Sequence, residues 1–330
     1  MKDKILVALK VSFFLGIGLF LIWLVVRNIT DEQRQQIFKA FREADYLWVI
    51  ISIVIGIISS VSRAQRWKML LKPMGHHPKL SNTFFAVMIG YLANLAIPRL
   101  GEVSRCGILT KYENIPFNQS FGTVITERII DTICLFILFI ITFLTEYEKI
   151  YNYTLQTIVN PIQKNLSFNS LLLITAALII IAIALLFFFR KKSEALFLTK
   201  VKLVIKGFVE GVISIKNVEK PVWFIFHSLF IWFAYYLMVY VCFFCFKETS
   251  LLHASTAMIL LAFGSVAVII TPGGIGAYPA IITEVLSLFS ISVPIGFAFG
   301  WIVWLSQAAQ LVIVGVVSLL LLPLINKGTN

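Results

Sequence analysis

The sequence predicts an all-α polytopic membrane protein: six full spans and two re-entrant or broken helical hairpins, about eight helical membrane elements, arranged as an inverted-topology repeat. Three observations carry that fold class. Of 330 residues, 59% are hydrophobic and only 13% charged, where a soluble domain carries about 25% charged residues, and the mean hydropathy is +0.92. Apolar stretches near the roughly 20 residues that a helix needs to cross a bilayer recur along the whole chain. Two such stretches are broken by Pro and Gly at corresponding places in the two halves.

The elements follow in order. Met1-Lys2-Asp3-Lys4 leads into a first span, Ile5–Val26, which reads as an anchor because no small-residue cleavage site follows it. Thr30-Asp31-Glu32-Gln33 has the form of a capping box, and Ile37, Phe38 and Phe41 give the short helix after it one apolar, interfacial face. Further spans are predicted at Tyr46–Val61, Phe117–Leu144, Leu171–Phe189, Val222–Phe246 and Ile295–Leu322. Between them, Ser81–Lys111 is interrupted around Pro98 and Gly101, and Leu251–Leu288 around Pro272, Gly273, Gly274 and Gly276. Such breaks free backbone groups that lipid cannot satisfy, so they belong where protein or water surrounds them, and both stretches read as hairpins. On the way to the second half, Phe197, Val201, Val204, Ile205, Phe208, Val212 and Ile215 recur at helical spacing, interleaved with Lys200, Lys202 and Lys206. That pattern suits a helix lying against anionic headgroups, or equally a linker helix packed on the spans. The longest polar stretches, 27–45 and 190–220, are too short to bury a core of their own, so residues 1–330 form one integral membrane domain.

Charge sets the orientation. With the N-terminus inside, the inner segments hold 20 Lys and Arg and the outer segments seven, as the positive-inside rule requires, which puts both termini in the cytoplasm. The halves then repeat as span, polar connection, span, broken hairpin, span, over residues 5–145 and 170–325. Second spans begin 176 residues apart, the prolines of the breaks lie 174 apart and the third spans 178 apart. Three crossings per half leave the second copy upside down, and paired broken segments in two such halves point to a transport site.

The chemistry concentrates between Asn94 and Asp131, where Arg99, Glu102, Arg105, Glu127, Arg128 and Asp131 interrupt apolar sequence. Ionisable groups at membrane depth are costly unless paired or wetted, so they mark a working site. Glu127, Arg128 and Asp131 fall ten to fourteen residues after Phe117, about 15 to 21 Å along that helix. Arg128 and Asp131 are spaced i and i+3, Glu127 and Asp131 i and i+4, so one carboxylate can hold the guanidinium while the other stays available. Arginine suits phosphate because its planar fork donates two hydrogen bonds at once. Pro98 and Gly101 end a half-helix whose freed amides could face an anion, with Arg99 and Arg105 adding charge and Glu102 serving as counter-ion or receiving a cationic headgroup. The plainer readings are a buried ion pair that ties helices together and a hairpin turn that needs glycine. Arg63 and Arg66, at the end of the second span, read as interfacial anchors or as a gate for phosphate, with Asn94, Pro272, Gly273, Gly274, Gly276 and Glu284 as further gate candidates. His76, His77 and His227 read as structural, and the Cys242-x-x-Cys245 pair as packing. No nucleotide-binding loop of the form GxxxxGK[ST], no metal-ligand cluster and no nucleophile constellation is present, so no cofactor is expected. The net charge of +12 is accounted for by inner loops meeting anionic lipid, without nucleic acid.

Four groups of residues occur together in this order: Arg63-x-x-Arg66-Trp67, Asn94-x-x-x-Pro98-Arg99-x-Gly101-Glu102-x-x-Arg105, Glu127-Arg128-x-x-Asp131 and Pro272-Gly273-Gly274-Ile275-Gly276. Combined, they resemble the lysylphosphatidylglycerol synthase transmembrane (flippase-like) family over essentially the whole chain. The resemblance implies a bacterial or archaeal inner-membrane protein whose fold moves lipids between leaflets. In two-part members a soluble domain transfers an amino acid from tRNA to phosphatidylglycerol; these 330 residues hold no such domain, so no aminoacyl transfer is expected. The family often carries Glu shortly after its second glycine motif, where this chain has Pro279, with Glu284 further on. That departure leaves open which headgroup is recognised. The expected function is therefore a flippase or scramblase for a phosphate-bearing lipid. The alternatives are a carrier of polyprenyl phosphate or a lipid-linked sugar, an intramembrane lipid-modifying transferase, and a scaffold for a separate synthase. The expected partners are an anionic phospholipid or polyprenyl phosphate, with a second copy of the chain or a separate synthase as protein partners.

Overall fold

A computed structural model describes residues 29–97, 99–148 and 218–327, together with Gly16, Phe20, Trp23, Arg27 and Tyr151. Most of the predicted first span, the predicted span Leu171–Phe189 and the amphipathic connection after it lie outside the described residues. Those described form nine α-helices and no strand: α1 (Asp31–Glu43), α2 (Tyr46–Leu71), α3 (Leu80–Ala96), α4 (Leu100–Glu113), α5 (Phe117–Thr145), α6 (Pro221–Cys242), α7 (Ala254–Ile270), α8 (Ala277–Ser287) and α9 (Val293–Ile325). Four of these, α2, α5, α6 and α9, are long and apolar enough to cross a membrane.

Local signals explain the starts. The Thr30 hydroxyl accepts from Gln33 N and the Gln33 side chain accepts from Thr30 N, which completes the expected capping box of α1. The apolar face of α1 differs from expectation: Ile37 and Ala40 are buried, but Phe38 is 65% exposed. Asp45 caps α2 by accepting from Leu47 N at 3.0 Å. That helix then runs to Leu71 instead of ending at Val61, because Arg63 and Arg66 are paired inside the protein and impose no stop. It lies antiparallel to α6, with Trp48 on Phe244 (ring centroids 4.8 Å), Ser52 Oγ donating to Met238 O (3.0 Å) and Arg66 near Ser228 (3.3 Å).

Each broken stretch becomes two short antiparallel helices. At 17 and 14 residues, α3 and α4 measure about 25 and 21 Å, short of the ~30 Å hydrocarbon core. Lys79 N and Asn82 Nδ2 both donate to Glu113 Oε1, at 3.0 and 2.6 Å, so the chain leaves this hairpin where it entered, beside the C-terminal end of α2. The helices meet through Gly90 and Gly101, where any Cβ on Gly101 would run into the Gly90 carbonyl. The second hairpin, α7 and α8, enters from the other end of the bundle: Asp45 N donates to Cys245 O (3.0 Å), which places the end of α6 and the start of α7 beside the start of α2. The two tips touch, Leu95 against Gly273. α9 packs along both hairpins, with Gly315 against Leu92 of α3 and Gly300 against Pro279 of α8. Among the described residues three apolar cores result: one around Trp67 among α2, α3, α4 and α5, one around Phe299 among α6 to α9 with Ala40 and Val49 joining it, and a small one where Leu70 meets Ile130 and Phe224.

Candidate functional site

Halfway along α5 the bundle holds a network of charges. Asp131 accepts from Arg63 (Nη1 to Oδ2, 2.7 Å) and from Arg66 (Nη2 to Oδ1, 2.9 Å). Glu127 accepts from Arg105 through Oε2 and, more loosely, from Arg66 through Oε1 at 3.4 Å. Arg66 also donates to Ser228 Oγ (3.3 Å) and Arg63 to the Tyr235 hydroxyl (3.1 Å). Three helices supply the charges, α2 two arginines, α4 Arg105 and α5 both carboxylates, and α6 adds Ser228 and Tyr235. Trp67 floors the site, with the Arg105 guanidinium carbon 4.4 Å from its ring centroid and its own Nε1 donating to Thr123 Oγ1 at 2.8 Å. Arg66 and Glu127 are fully buried, and Arg63 and Arg105 are each 3% exposed.

Two features set this network apart from a closed ion pair. Its buried part holds three guanidiniums and two carboxylates, a surplus of one positive charge. Moreover, Nε of Arg63, Arg66 and Arg105 has no hydrogen-bond partner among the described residues, and buried donors left that way are costly. Next to it, a second layer opens outwards: Arg128 pairs with Glu102 at 3.3 Å, their side chains 43% and 20% exposed. Both line a groove of about 290 Å³ between α4 and α5.

Several expectations are corrected by this geometry. Asp131 holds Arg63 and Arg66, not Arg128, and neither Glu127 nor Asp131 is left free. Glu102 is the counter-ion of Arg128 on the neighbouring helix, not of Arg99 or Arg105. Arg99 stands apart at the hairpin tip, exposed and in left-handed backbone (φ 67°), with no ion-pair partner among the described residues. The amide of Gly101 is not offered to an anion; it donates to Asn94 Oδ1 at 2.7 Å, so Asn94 caps the start of α4. Arg63, Arg66 and Trp67 are not interfacial anchors but the buried centre of the site.

At the second tip, Pro272, Gly273 and Gly274 form a short 3-10 turn, and Trp304 Nε1 of α9 donates to Gly273 O at 2.8 Å. Positive φ at Gly273 (61°), Gly274 (79°) and Gly276 (73°) explains the glycines there. Glu284 lies on the exposed face of α8, two turns beyond the tip. Tyr235, Ser228, Tyr91 and Ser62 also belong to the network's surroundings and were not singled out in sequence, while His227, read there as structural, hydrogen-bonds Ser62 at 2.8 Å.

A family model described as the lysylphosphatidylglycerol synthase TM region matches residues 5–318, which takes in both hairpins and every charge of the network. The chain belongs to that family. Two curated relatives match over shorter stretches. A UPF0104 membrane protein of Methanocaldococcus jannaschii is 33% identical over 100 residues, 29% of this chain and 30% of that protein. Glycosyltransferase AglD of Haloferax volcanii is 27% identical over 97 residues, 29% of this chain and 16% of that protein. The chain thus aligns with less than a third of either relative. No solved structure matches. Among the described residues, no group of three or more His, Cys, Asp or Glu could hold a metal ion. In this member of the family, then, the charged groups of the two hairpin-flanking helices α2 and α5 answer one another, and beside them the pair Glu102 with Arg128 meets the surroundings.

Proposed function

We propose that this chain moves a phosphate-bearing lipid headgroup across the membrane, as a flippase or scramblase, with the acyl chains remaining in lipid. The observation that carries the reading is a buried cluster with surplus positive charge, built from α2, α5 and the second helix of the first hairpin, and adjoining a groove between α4 and α5. Guanidiniums in surplus attract an anion, and donors without partners are what a phosphate oxygen completes. Membership of the family supports a lipid-related role. On this reading the whole domain, residues 1–330, has six spans and two hairpins, with repeats over 5–145 and 170–325 related by inversion. Its termini face the cytoplasm, and the driving force is an ion gradient, the membrane potential or the lipid gradient. The substrate residues are Arg105, Glu127, Arg128, Asp131 and Glu102, joined by Arg63 and Arg66, with Arg99 at the tip facing outward. An anionic phospholipid is the first cargo to test and a polyprenyl phosphate the second.

One observation favours a structural reading of the inner five charges: they are almost wholly buried and pair with one another. Under that reading the domain is a scaffold for a separate synthase. Reconstitution decides. Proteoliposomes of purified protein are expected to exchange a labelled phospholipid between leaflets without covalent change, and Arg105→Ala or Glu127→Gln at equal folded protein is expected to abolish it. Exchange that survives both variants, or no exchange from wild-type protein, overturns the transport reading, and a new lipid species by mass spectrometry assigns a transferase instead.

A further inference from the structure

The charge surplus of the network is not spread evenly. Arg63 and Arg66 share one carboxylate, Asp131, while Glu127 answers Arg105 closely and Arg66 only at 3.4 Å, so the extra positive charge rests on the two α2 arginines. One turn before Arg63, at i−4, Ser59 is 1% exposed and its hydroxyl has no hydrogen-bond partner among the described residues. Arg63 Nε, equally buried, has none either. Long side chains on a helix lean toward its N-terminus, and Arg63 does so here. Its Nη2 reaches Tyr235, which the contacts of Ser52 with Met238 and Arg66 with Ser228 set opposite the turn that holds Ser59. The same level of α6 carries Trp232, whose buried Nε1 also lacks a partner, and α9 presses the buried Gln310 amide onto Gly56, three residues before Ser59. All four groups can donate a hydrogen bond, and no carboxylate stands among them. The predicted spans at 5–26 and 171–189 contain no Asp or Glu, nor do those at 222–246 and 295–322, so no other full span supplies the missing negative charge.

We infer that Ser59 and Arg63 hold a halide ion, chloride under ordinary conditions, as a resident counter-ion of the charge network. The ion accepts from Ser59 Oγ and Arg63 Nε, with Trp232 Nε1 and the Gln310 amide as further donors at that level. Charge and size select this occupant. An uncompensated charge buried at membrane depth is costly, and a water molecule would accept from the same donors yet leave the surplus in place. A cation would meet donors where it needs acceptors. A phosphate monoester is too large for a place whose lining residues Ser59, Arg63 and Gln310 are all nearly inaccessible, and a lipid larger still. The site lies between α2, α6 and α9, whereas the groove beside Arg128 lies between α4 and α5. The halide is therefore no cargo, and its binding requires nothing of the transport reading.

The test uses the full-length protein in a halide-free detergent, moved between potassium gluconate and potassium chloride at constant ionic strength. Radiolabelled chloride is expected to bind saturably, to be displaced by bromide and not by gluconate, and to raise the unfolding midpoint until the site is full, as a ligand of the folded state alone does. Ser59→Ala is expected to weaken chloride binding about tenfold, the size of one hydrogen bond to a charged group, with a midpoint in gluconate no lower than that of wild type. Ser59→Asp, which supplies a fixed carboxylate, is expected to abolish chloride binding and the chloride dependence of the midpoint. No saturable binding to wild-type protein, binding unchanged in Ser59→Ala, or chloride binding that persists in Ser59→Asp overturns the proposal. So does stabilisation by sulfate exceeding that by chloride, the mark of salt excluded from the surface. If Ser59→Asp does not fold, wild-type binding and Ser59→Ala still decide. Halide binding in a protein that exchanges no lipid removes the transport reading and leaves this site standing; exchange without halide binding does the reverse.

Discussion

Glu127→Ala tests whether the network is as interdependent as its distances say. Removing this carboxylate leaves Arg63, Arg66 and Arg105 buried with Asp131 alone, raising the buried surplus from one positive charge to two. Breaking one partner out of a buried pair costs about 3–5 kcal/mol because an uncompensated charge stays behind. The cost falls mainly on Arg105, whose one carboxylate partner is Glu127, and little on Arg66, which touches Glu127 at 3.4 Å but Asp131 at 2.9 Å. Removing Arg105 together with Glu127 therefore restores the surplus to one charge and leaves the α2 arginines on Asp131. The double variant Arg105→Ala with Glu127→Ala is expected to be less destabilised than the sum of the singles by roughly 2–3 kcal/mol, a coupling typical of residues sharing one network. Reversible unfolding of the purified protein in mixed micelles measures all four corners of the cycle. Additive losses, or a Glu127→Ala protein as stable as wild type, would refute the account.

Other outcomes follow from single contacts. Gly101→Ala places a methyl group against the Gly90 carbonyl and the Asn94 side chain, so it is expected to lose at least about 1–3 kcal/mol by overpacking and to separate α3 from α4, read as a new cross-linking distance between cysteines placed on them. Trp304→Phe deletes the 2.8 Å bond to Gly273 O and is expected to cost about 1 kcal/mol, with faster amide exchange in residues 271–276. Thr30→Ala breaks the capping box of α1 and is expected to cost about 1 kcal/mol while leaving lipid exchange at the wild-type rate, since α1 contributes nothing to the charge network.

The described spans and the two hairpins were legible because their signals are local. Hydropathy finds α5, α6 and α9 within a few residues of their observed ends, and Gly101 and the glycines from Gly273 to Gly276 mark the tips. The network's membership was half legible and its pairing was not. Spacing along α5 pointed to Arg128 with Asp131, yet Arg128 sits 100° round the helix from Glu127 and turns to the groove. Asp131 instead meets α2, where buried arginines need it more. The same local view misplaced the end of α2. A charge closing an apolar run looks the same in sequence whether it meets headgroups, as Arg63 and Arg66 were expected to, or a carboxylate on another helix, as they do. Desolvation decides between them, and desolvation is a property of the assembled bundle.

The two hairpins give the buried charges a significance that the network alone would lack. Had α3 and α7 been full spans, polar groups at the middle of α5 would be walled from both ends by continuous apolar helix. Instead the helices stop short, and at the middle of the bundle the two tips meet, with Leu95 against Gly273. That contact is apolar, while the contacts holding the first hairpin at its base are polar: Lys79 and Asn82 on Glu113, and Asn82 paired with Asn326 at the end of α9 in both directions at 2.8 and 3.0 Å. Motion of the first hairpin is therefore easier at its tip than at its base. On the transport reading, the tip is therefore the part of the first hairpin that can shift without breaking the polar contacts at its base.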